Sequence, residues 1–472
     1  MTAEAAPQGR DVPASGLLSV AMIVLTTWSQ WQGPAWTGPA SGLVLVPLVG
    51  LMALRIRRGR LTFIAVALAL MLAALIWLDD GLAEIAGALE RGAFIGSYFA
   101  ALAVLRHAAD TSPAIGRCGY YLAHQPPGRR YIALTAGGQA FALLLNYGAI
   151  PLLGSLATSG ARDEPDPEIR AIRRRRMLLA IQRGFGSMLP WSPLAFAVAL
   201  TSAMLPGVSW GRALPYALVS SLLLVVIGWT LDTLFKPRLS HPAPPRTPGA
   251  AGHVSSVLPL LGLLVGLMSL TILLHEVTGL RVTAIVLLVV PLIGIGWFAV
   301  QAPDGQRGAY TWGRVRRYVM HDVPGYRDEM VLLSMAGVIG SLGGALIGPV
   351  IAAMGLDLSA VPAWLILLAL VWLTPLGGQI GMNPILAVTL MIPLIPPAEA
   401  LGIQPNAIFV AITAGWALSA ASSPYTATTL LLGSFSGVSA RHVGLVWNGP
   451  YTLLCGIALS AWVVIMAELG LG

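Results

Sequence analysis

Few residues in this 472-residue chain could do chemistry inside its apolar stretches, and those that could are neutral oxygen donors rather than acids, bases or nucleophiles. They fall in two places. The first holds Asn146-Tyr147-Gly148 and, further on, Ser192-Pro193; the second holds Asn383-Pro384 and then Ser422-Ser423-Pro424-Tyr425-Thr426. Amide and hydroxyl oxygens of this kind suit a hard cation. Sodium is therefore expected at Asn146, Ser192, Asn383 and Ser423. Tyr147, Gly148, Pro193, Pro384, Ser422 and Thr426 complete the candidate substrate- and ion-binding set. The competing reading is that each Asn or Ser only caps a kinked helix; their paired recurrence favours ligation. Arg183, about two turns into its span by helix geometry, is the one basic residue close to these positions. It is expected to snorkel to the membrane surface, with attraction of an anion as its other reading.

The elements that carry these residues are membrane helices. With 56% hydrophobic and 10% charged residues and a mean hydropathy of +0.77, the chain has too little polar surface for a soluble globule. Apolar runs of bilayer length recur from end to end. Two of them, Tyr131–Leu156 and Val361–Pro396, carry Gly-Gly-Gln and then Asn in mid-run. They read as re-entrant hairpins, because irregular backbone survives at membrane depth only where protein or water satisfies it. After each comes a span broken by proline, at Ser192-Pro193 and Ser423-Pro424, where a lost donor and a steric clash interrupt the helix. A broken helix offers carbonyls at one half-helix end and N–H groups at the other.

The two places are copies of each other. Ile95-Gly96-Ser97 returns as Ile339-Gly340-Ser341, Gly137-Gly138-Gln139 as Gly377-Gly378-Gln379, Asn146 as Asn383, Ser192-Pro193 as Ser423-Pro424, and Gly207-Val208-Ser209 as Gly437-Val438-Ser439, with an offset that shrinks steadily from 244 to 230 residues. Internal duplication in a membrane chain is a mark of secondary transporters. The fold class expected is an all-α polytopic membrane protein with about 11 transmembrane helices in two inverted repeats, each with a hairpin and a broken helix. Residues 1–34 hold the N-terminal segment and first helix; 35–235 form repeat 1, with its hairpin at about 131–156 and broken helix at about 177–205. A cytoplasmic linker follows at 236–253, and 254–472 form repeat 2, with its hairpin at about 361–396 and broken helix at about 407–432.

Charge fixes the orientation. Arginines after the second span, around the first hairpin, in the linker and at Arg314, Arg316 and Arg317 fall on one side of this arrangement, while Asp79-Asp80 to Glu90 reads as an acidic loop on the other. The basic side is then cytoplasmic, with the N-terminus there, in a membrane such as the bacterial inner membrane. The net charge of +8 reads as topology and not as a nucleic-acid surface. The arginine-rich stretch 305–323 is expected to be an amphipathic interfacial helix. Gly92, Gly96, Gly340 and Gly344 are spaced for close helix packing. Cys118, placed in a loop, and Cys455, in the last span, are not expected to pair. Asp232, Glu276 and Glu468 sit at span ends, where solvated positions are expected. The first sixteen residues do not read as a cleaved signal peptide.

This order of hairpin with Asn, broken helix and Pro-rich linker, then the same again inverted, resembles the ion transporter superfamily, which includes divalent anion:sodium symporters, citrate transporters and arsenite permeases. In the symporters both hairpin tips carry Ser-Asn-Thr. Here Leu145-Asn146-Tyr147 and Met382-Asn383-Pro384 keep the Asn but not its neighbours. The resemblance implies a homodimer in the lipid bilayer that works by an elevator mechanism. The function expected is secondary transport, with sodium-coupled uptake of a small organic anion as the leading form and sodium as coupling ion in place of any cofactor. The missing intramembrane Asp, Glu and His around the breaks argue against proton coupling. The alternative is an efflux permease for a metalloid oxyanion or another small solute, with proton coupling as its option. An enzyme or receptor is disfavoured, since H-E-x-x-H, G-x-S-x-G and P-loop signatures are all missing.

Overall fold

The computed structural model describes residues 11–162, 164–236, 239, 253–354 and 358–472. Most of the linker, with Arg238 and Arg246, and the first ten residues lie outside them. The described chain is helical throughout, without a strand. The first half holds α1 (Asp11–Gln30), α2 (Thr37–Ala53), α3 (Arg58–Trp77), α4 (Gly81–Asp110), α5 (Pro113–Ala123), α6 (Pro127–Leu145), α7 (Ala149–Arg162), α8 (Pro167–Met188), α9 (Phe196–Met204) and α10 (Trp210–Leu234). The second holds α11 (Leu258–Thr278), α12 (Val282–Gln301), α13 (Arg307–Arg317), the single turn α14 (Val323–Gly325), α15 (Arg327–Ala353), α16 (Ala363–Gln379), α17 (Pro384–Met391), α18 (Pro405–Ser422), α19 (Ala427–Ser436) and α20 (Gly449–Glu468).

Among the described residues nine segments are long and apolar enough to cross a membrane. Two of these, Gly128–Ser159 and Pro405–Ser436, run through an interruption, and α2, α16 and the stretch Pro384–Leu394 are shorter apolar helices. The contrast between α3 and α18 shows which solvent the fold is built for. In α3 only Ala67 and Ala74 are buried, and Leu68, Leu72, Ile76 and Trp77 are more than half exposed, as lipid-facing side chains must be. In α18 every residue from Asn406 to Ser422 is buried. A helix apolar all round belongs in lipid or in the middle of a protein, and this chain has both kinds.

The chain divides into two compact units that cut across the duplication. Unit 1 is made of Met1–Ala108, Ala284–Leu356 and Thr389–Leu394; unit 2 is made of Ala109–Thr283, Asp357–Val388 and Ile395–Gly472. Within unit 1, close packing rests on the glycines singled out by their spacing. A Cβ on Gly92 would stand 2.8 Å from both the Ser334 carbonyl oxygen and Val338 Cγ2, and one on Gly96 would overlap the Ser334 hydroxyl. Gly340 and Gly344 receive Thr389 and Pro393. Thr26 and Ser97 hydroxyls meet at 3.0 Å, and the Trp31 indole donates to the Ala284 carbonyl. These polar contacts are satisfied side to side, as burial without water requires.

Three sequence expectations change. The stretch from Asp79 to Glu90 is no loop: α4 starts at Gly81 and runs through Glu84 and Glu90, because Ala, Leu and Glu are strong helix formers and Glu84 in the first turn faces the positive end of the helix dipole. Cys118 lies on α5, not in a loop, and is fully buried; burial pushes its thiol up to about 12. Both cysteines are free. Asp232 is not solvated but 9% exposed at its side chain, held by Arg176 at 2.6 Å, a bond that raises the Arg176 guanidinium above its usual value. The arginine-rich stretch is helical, as α13, with Trp312 68% exposed.

Overpacking a close helix contact costs about 1–3 kcal/mol. Gly92→Val is therefore expected to lower the thermal midpoint of the detergent-solubilised protein, whereas Gly50→Ala, where a Cβ meets nothing within 4 Å, should leave it unchanged or raise it. Equal midpoints for the two variants would contradict the α4 packing described here.

Candidate transport site

All ten candidate site residues fall in unit 2. Its framework is two equivalent helix pairs. A Cβ on Gly184 of α8 would overlap the Thr135 carbonyl of α6, and one on Gly415 of α18 would reach the Leu370 carbonyl of α16 at 2.6 Å. Gly184 and Gly415 are 231 residues apart, the same offset as Ser192 and Ser423. The duplication therefore extends to the close approach that sets each pair.

The second tip follows from its sequence. α16 ends in a Schellman arrangement, with the Met382 amide donating to the Gly377 carbonyl at 3.0 Å, the Gly381 amide to Gly378 at 3.4 Å, and Gly381 at φ +91°, a left-handed state that glycine adopts without a Cβ clash. Asn383 then caps α17, its Oδ1 accepting from the Ile385 amide at 2.9 Å, with Pro384 at the first helical position, where its missing N–H costs nothing. The break in α18 lies against this tip. The Ser423 hydroxyl donates to the Gly378 carbonyl at 2.7 Å, and Tyr425, 63% exposed, has its ring 3.8 Å from where a Gly381 Cβ would stand. Two further hydroxyls are buried here without a hydrogen-bond partner, Thr374 Oγ1 and Ser419 Oγ. They sit one helical turn before Gly378 and Ser423, and Ser419 Oγ is 2.9 Å from the position of a Gly378 Cβ. The sequence reading missed both; their i, i+4 spacing to Gly378 and Ser423 was the available signal.

The break's carbonyls are not bare, contrary to the expectation. Pro424 has no N–H, so the Ala420 carbonyl loses its helical donor; Gln182 Nε2 supplies one at 3.2 Å and the Thr428 hydroxyl another. The Ser423 carbonyl accepts from Thr429 at 2.6 Å and Thr426 at 2.9 Å. Ser422 donates back to Leu418 within its own helix at 2.8 Å, away from the tip. At membrane depth an unpaired carbonyl is costly, and these two, Ala420 and Ser423, each have two protein donors.

In the first half α6 and α7 meet at Asn146, which adopts φ 49°, ψ −128°. That conformation costs a non-glycine residue about 1–3 kcal/mol. Phe141 before the turn and Leu153 and Leu156 after it all lie within 4 Å of one point, the Cβ position of Gly119, so the two arms fold back on the same face of α5. Gly148 is buried in the turn. Ser192, fully buried, accepts the Leu194 amide at 3.1 Å in the break that separates α8 from α9 around Pro193. The tip meets α8 through Tyr147, whose ring lies 5.1 Å from that of Phe185, rather than through an Asn146–Ser192 contact. The Trp191 carbonyl, beside Ser192, accepts the Trp210 indole N–H at 2.9 Å.

Arg183 does not snorkel. It is 6% exposed, its guanidinium bonding to Asn448 Oδ1 at 3.2 Å, the Tyr131 hydroxyl at 3.2 Å and the Gly228 carbonyl at 3.4 Å, 4.5 Å above the Tyr451 ring. Asn448, itself fully buried, donates to Gln182 Oε1 at 2.9 Å. Among the described residues no carboxylate pairs with Arg183. Neutral acceptors and a ring face replace one, as a buried charge requires. The chain Arg183–Asn448–Gln182–Ala420 thus ties the first broken helix to the break of the second. Gly186 on α8 also faces the Ala417 carbonyl of α18, 3.7 Å from its Cβ position.

The fold is shared with solved transporters. The chain is similar in structure to the Alcanivorax borkumensis YdaH transporter, described as having an unusual topology, with a TM-score of 0.61 and 18% identity over 88% of this chain and 100% of that one. It is also similar to Neisseria gonorrhoeae MtrF, described as illuminating a class of antimetabolite efflux pumps, with a TM-score of 0.50 and 13% identity over 91% of this chain and 98% of that one. No family model and no curated protein matches the sequence.

Asn448→Leu is expected to strand Arg183 and Gln182, at about 1–3 kcal/mol for each buried group left unpaired. The readout is the thermal midpoint in detergent, which should fall by more than for Tyr216→Phe. An unchanged midpoint would contradict the network. The chain, helical throughout its described residues and with nine segments long and apolar enough to cross a membrane, is a polytopic membrane protein whose fold is shared with solved transporters.

Proposed function

We propose that this chain is a secondary transporter that couples sodium entry to uptake of a small organic anion. The observation that carries the reading is the buried junction of Gly378 and Ser423, where Thr374 and Ser419 hold hydroxyl oxygens without partners. Buried polar atoms without partners call for an explanation, an ion among them, and a set made only of hydroxyl and carbonyl oxygens fits a hard cation rather than a soft one. The donor set contains no carboxylate that would carry a proton instead. Asn383 keeps a second lone pair on Oδ1 beyond the one spent on its cap, so its proposed role at the ion site survives its structural one. The same holds for the hydroxyl of Ser192.

The resemblance to the ion transporter superfamily supports an elevator mechanism. Unit 2 gathers the first helix–turn–helix element, the tip of the second with α17 as far as Val388, and both broken helices, the parts that would travel together in such a mechanism, while Thr389–Leu394 packs in unit 1. The tips would then be re-entrant hairpins of inverted repeats, in a homodimer within a cytoplasmic membrane. Arg183 acts as the fixed positive charge behind the site. Efflux is the second reading, favoured by the description of MtrF as one of a class of efflux pumps.

The test is uptake into proteoliposomes of radiolabelled mono-, di- and tricarboxylates under an inward sodium gradient and, separately, a proton gradient. Uptake that needs sodium is expected, with Asn146→Ala and Asn383→Ala abolishing it and Ser423→Ala weakening the apparent sodium affinity tenfold or more in protein that still inserts and folds. Transport that is indifferent to sodium, or unchanged in these variants, would overturn the ion site. Flux only out of inside-out-loaded vesicles would move the assignment to efflux.

A further inference from the structure

Away from the two tips, a cavity of about 180 Å³ lies where the end of α9 and the start of α10 approach the turn after α11. Its polar lining is Ser202, Ser209, His275, Arg281 and Thr283, beside the Trp210 ring, and no carboxylate is among its lining residues. Ser202 Oγ is buried there without a hydrogen-bond partner. Water in the liquid takes about 30 Å³ per molecule, so the space is large enough for a phosphate group or a short carboxylic acid.

The turn that presents Arg281 is built, not loose. Gly279 closes α11 in the left-handed state at φ +66°, Thr278 Oγ1 accepts the Leu280 amide at 3.2 Å, and His275 Nδ1 lies 2.7 Å from the Leu280 carbonyl. That carbonyl can only accept, so Nδ1 carries the hydrogen and the ring pins the residue before Arg281. Across the cavity, the first turn of the 25-residue α10 leaves backbone N–H groups without helical acceptors, and a helix start favours negative charge. Guanidinium, hydroxyls and amides form a lining rich in donors with no opposing carboxylate.

We propose that this cavity binds one small oxyanion, a carboxylate or phosphate group, through Arg281, the hydroxyls of Ser202, Ser209 and Thr283, and the amide end of α10. The cavity touches the first break at two points. Ser202 lies on α9, the half-helix that follows the break, and the Trp210 indole holds the Trp191 carbonyl inside it. An anion bound here sits behind the first break, at the end of α11 remote from the linker; the arginine distribution makes that the outer face. The site does not depend on the transport reading, because its occupancy is measured without a gradient and without sodium.

The experiment uses the full chain in phosphatidylcholine nanodiscs in sodium-free buffer, with equilibrium binding of radiolabelled inorganic phosphate and of radiolabelled succinate. A second arm uses phosphatidylglycerol nanodiscs and asks whether that lipid is retained through detergent extraction. Saturable binding of phosphate or succinate is expected, weakened tenfold or more by Arg281→Gln and by Ser202→Val and not by Arg307→Gln. Retention of phosphatidylglycerol alone, lost in Arg281→Gln, supports the same site with a lipid headgroup as its source. No saturable anion and no retained lipid, or binding unaltered in both cavity variants, would overturn the proposal.

Discussion

A backbone carbonyl inside a membrane protein must have a donor, and Pro424 removes the one that Ala420 would have had. The second half of unit 2 is arranged around that loss. Gln182 reaches from the other broken helix to supply a hydrogen, and it can do so because Asn448 fixes its Oε1 and Arg183 in turn fixes Asn448. Thr428, eight residues on in the same broken helix, supplies a second hydrogen, so the repair is shared between the two helices. A kink satisfied by its own helix alone would have left the two breaks independent; the Gln182 bond joins α8, α18 and the start of α20 into a single polar network of neutral acceptors around one guanidinium.

That economy bears on function. Breaking a helix at membrane depth is expensive unless its groups are paired, and here the Ala420 and Ser423 carbonyls are, by Thr426, Thr428 and Thr429 as well as Gln182. Against this background of satisfied carbonyls, the two buried hydroxyls of Thr374 and Ser419 without partners stand out, and they adjoin the contact between tip and break. The coupling ion we propose would bind there, the oxygens of the break itself holding shape and the hydroxyls beside them holding the ion.

Much of this geometry could be read in the sequence. Pro193 and Pro424 marked both breaks, and α8 and α18 end within a few residues of them, at Met188 and Ser422. The two Asn residues marked both tips, although Asn383 is spent partly on capping α17. What could not be read was long-range. Gln182 and Asn448 are 266 residues apart, and nothing in either neighbourhood announces the other; Arg183 reads as a snorkelling residue because its neutral partners come from three separate segments, α6, α10 and the start of α20. Glu84 and Glu90 read as loop residues but lie on α4, because acidic residues near a membrane edge look the same in a helix as in a turn. The Gly184–Gly415 echo, at the offset of Ser192 and Ser423, was present in the sequence and would have sharpened the repeat.

The most direct test of the central claim is hydrogen exchange of the protein in nanodiscs, in sodium buffer against N-methylglucamine buffer. Sodium is predicted to slow exchange in the segments 377–384 and 419–429 and to leave α3 unaffected. Exchange that is identical in the two buffers at both segments would contradict an ion site at the junction of the second tip and its broken helix.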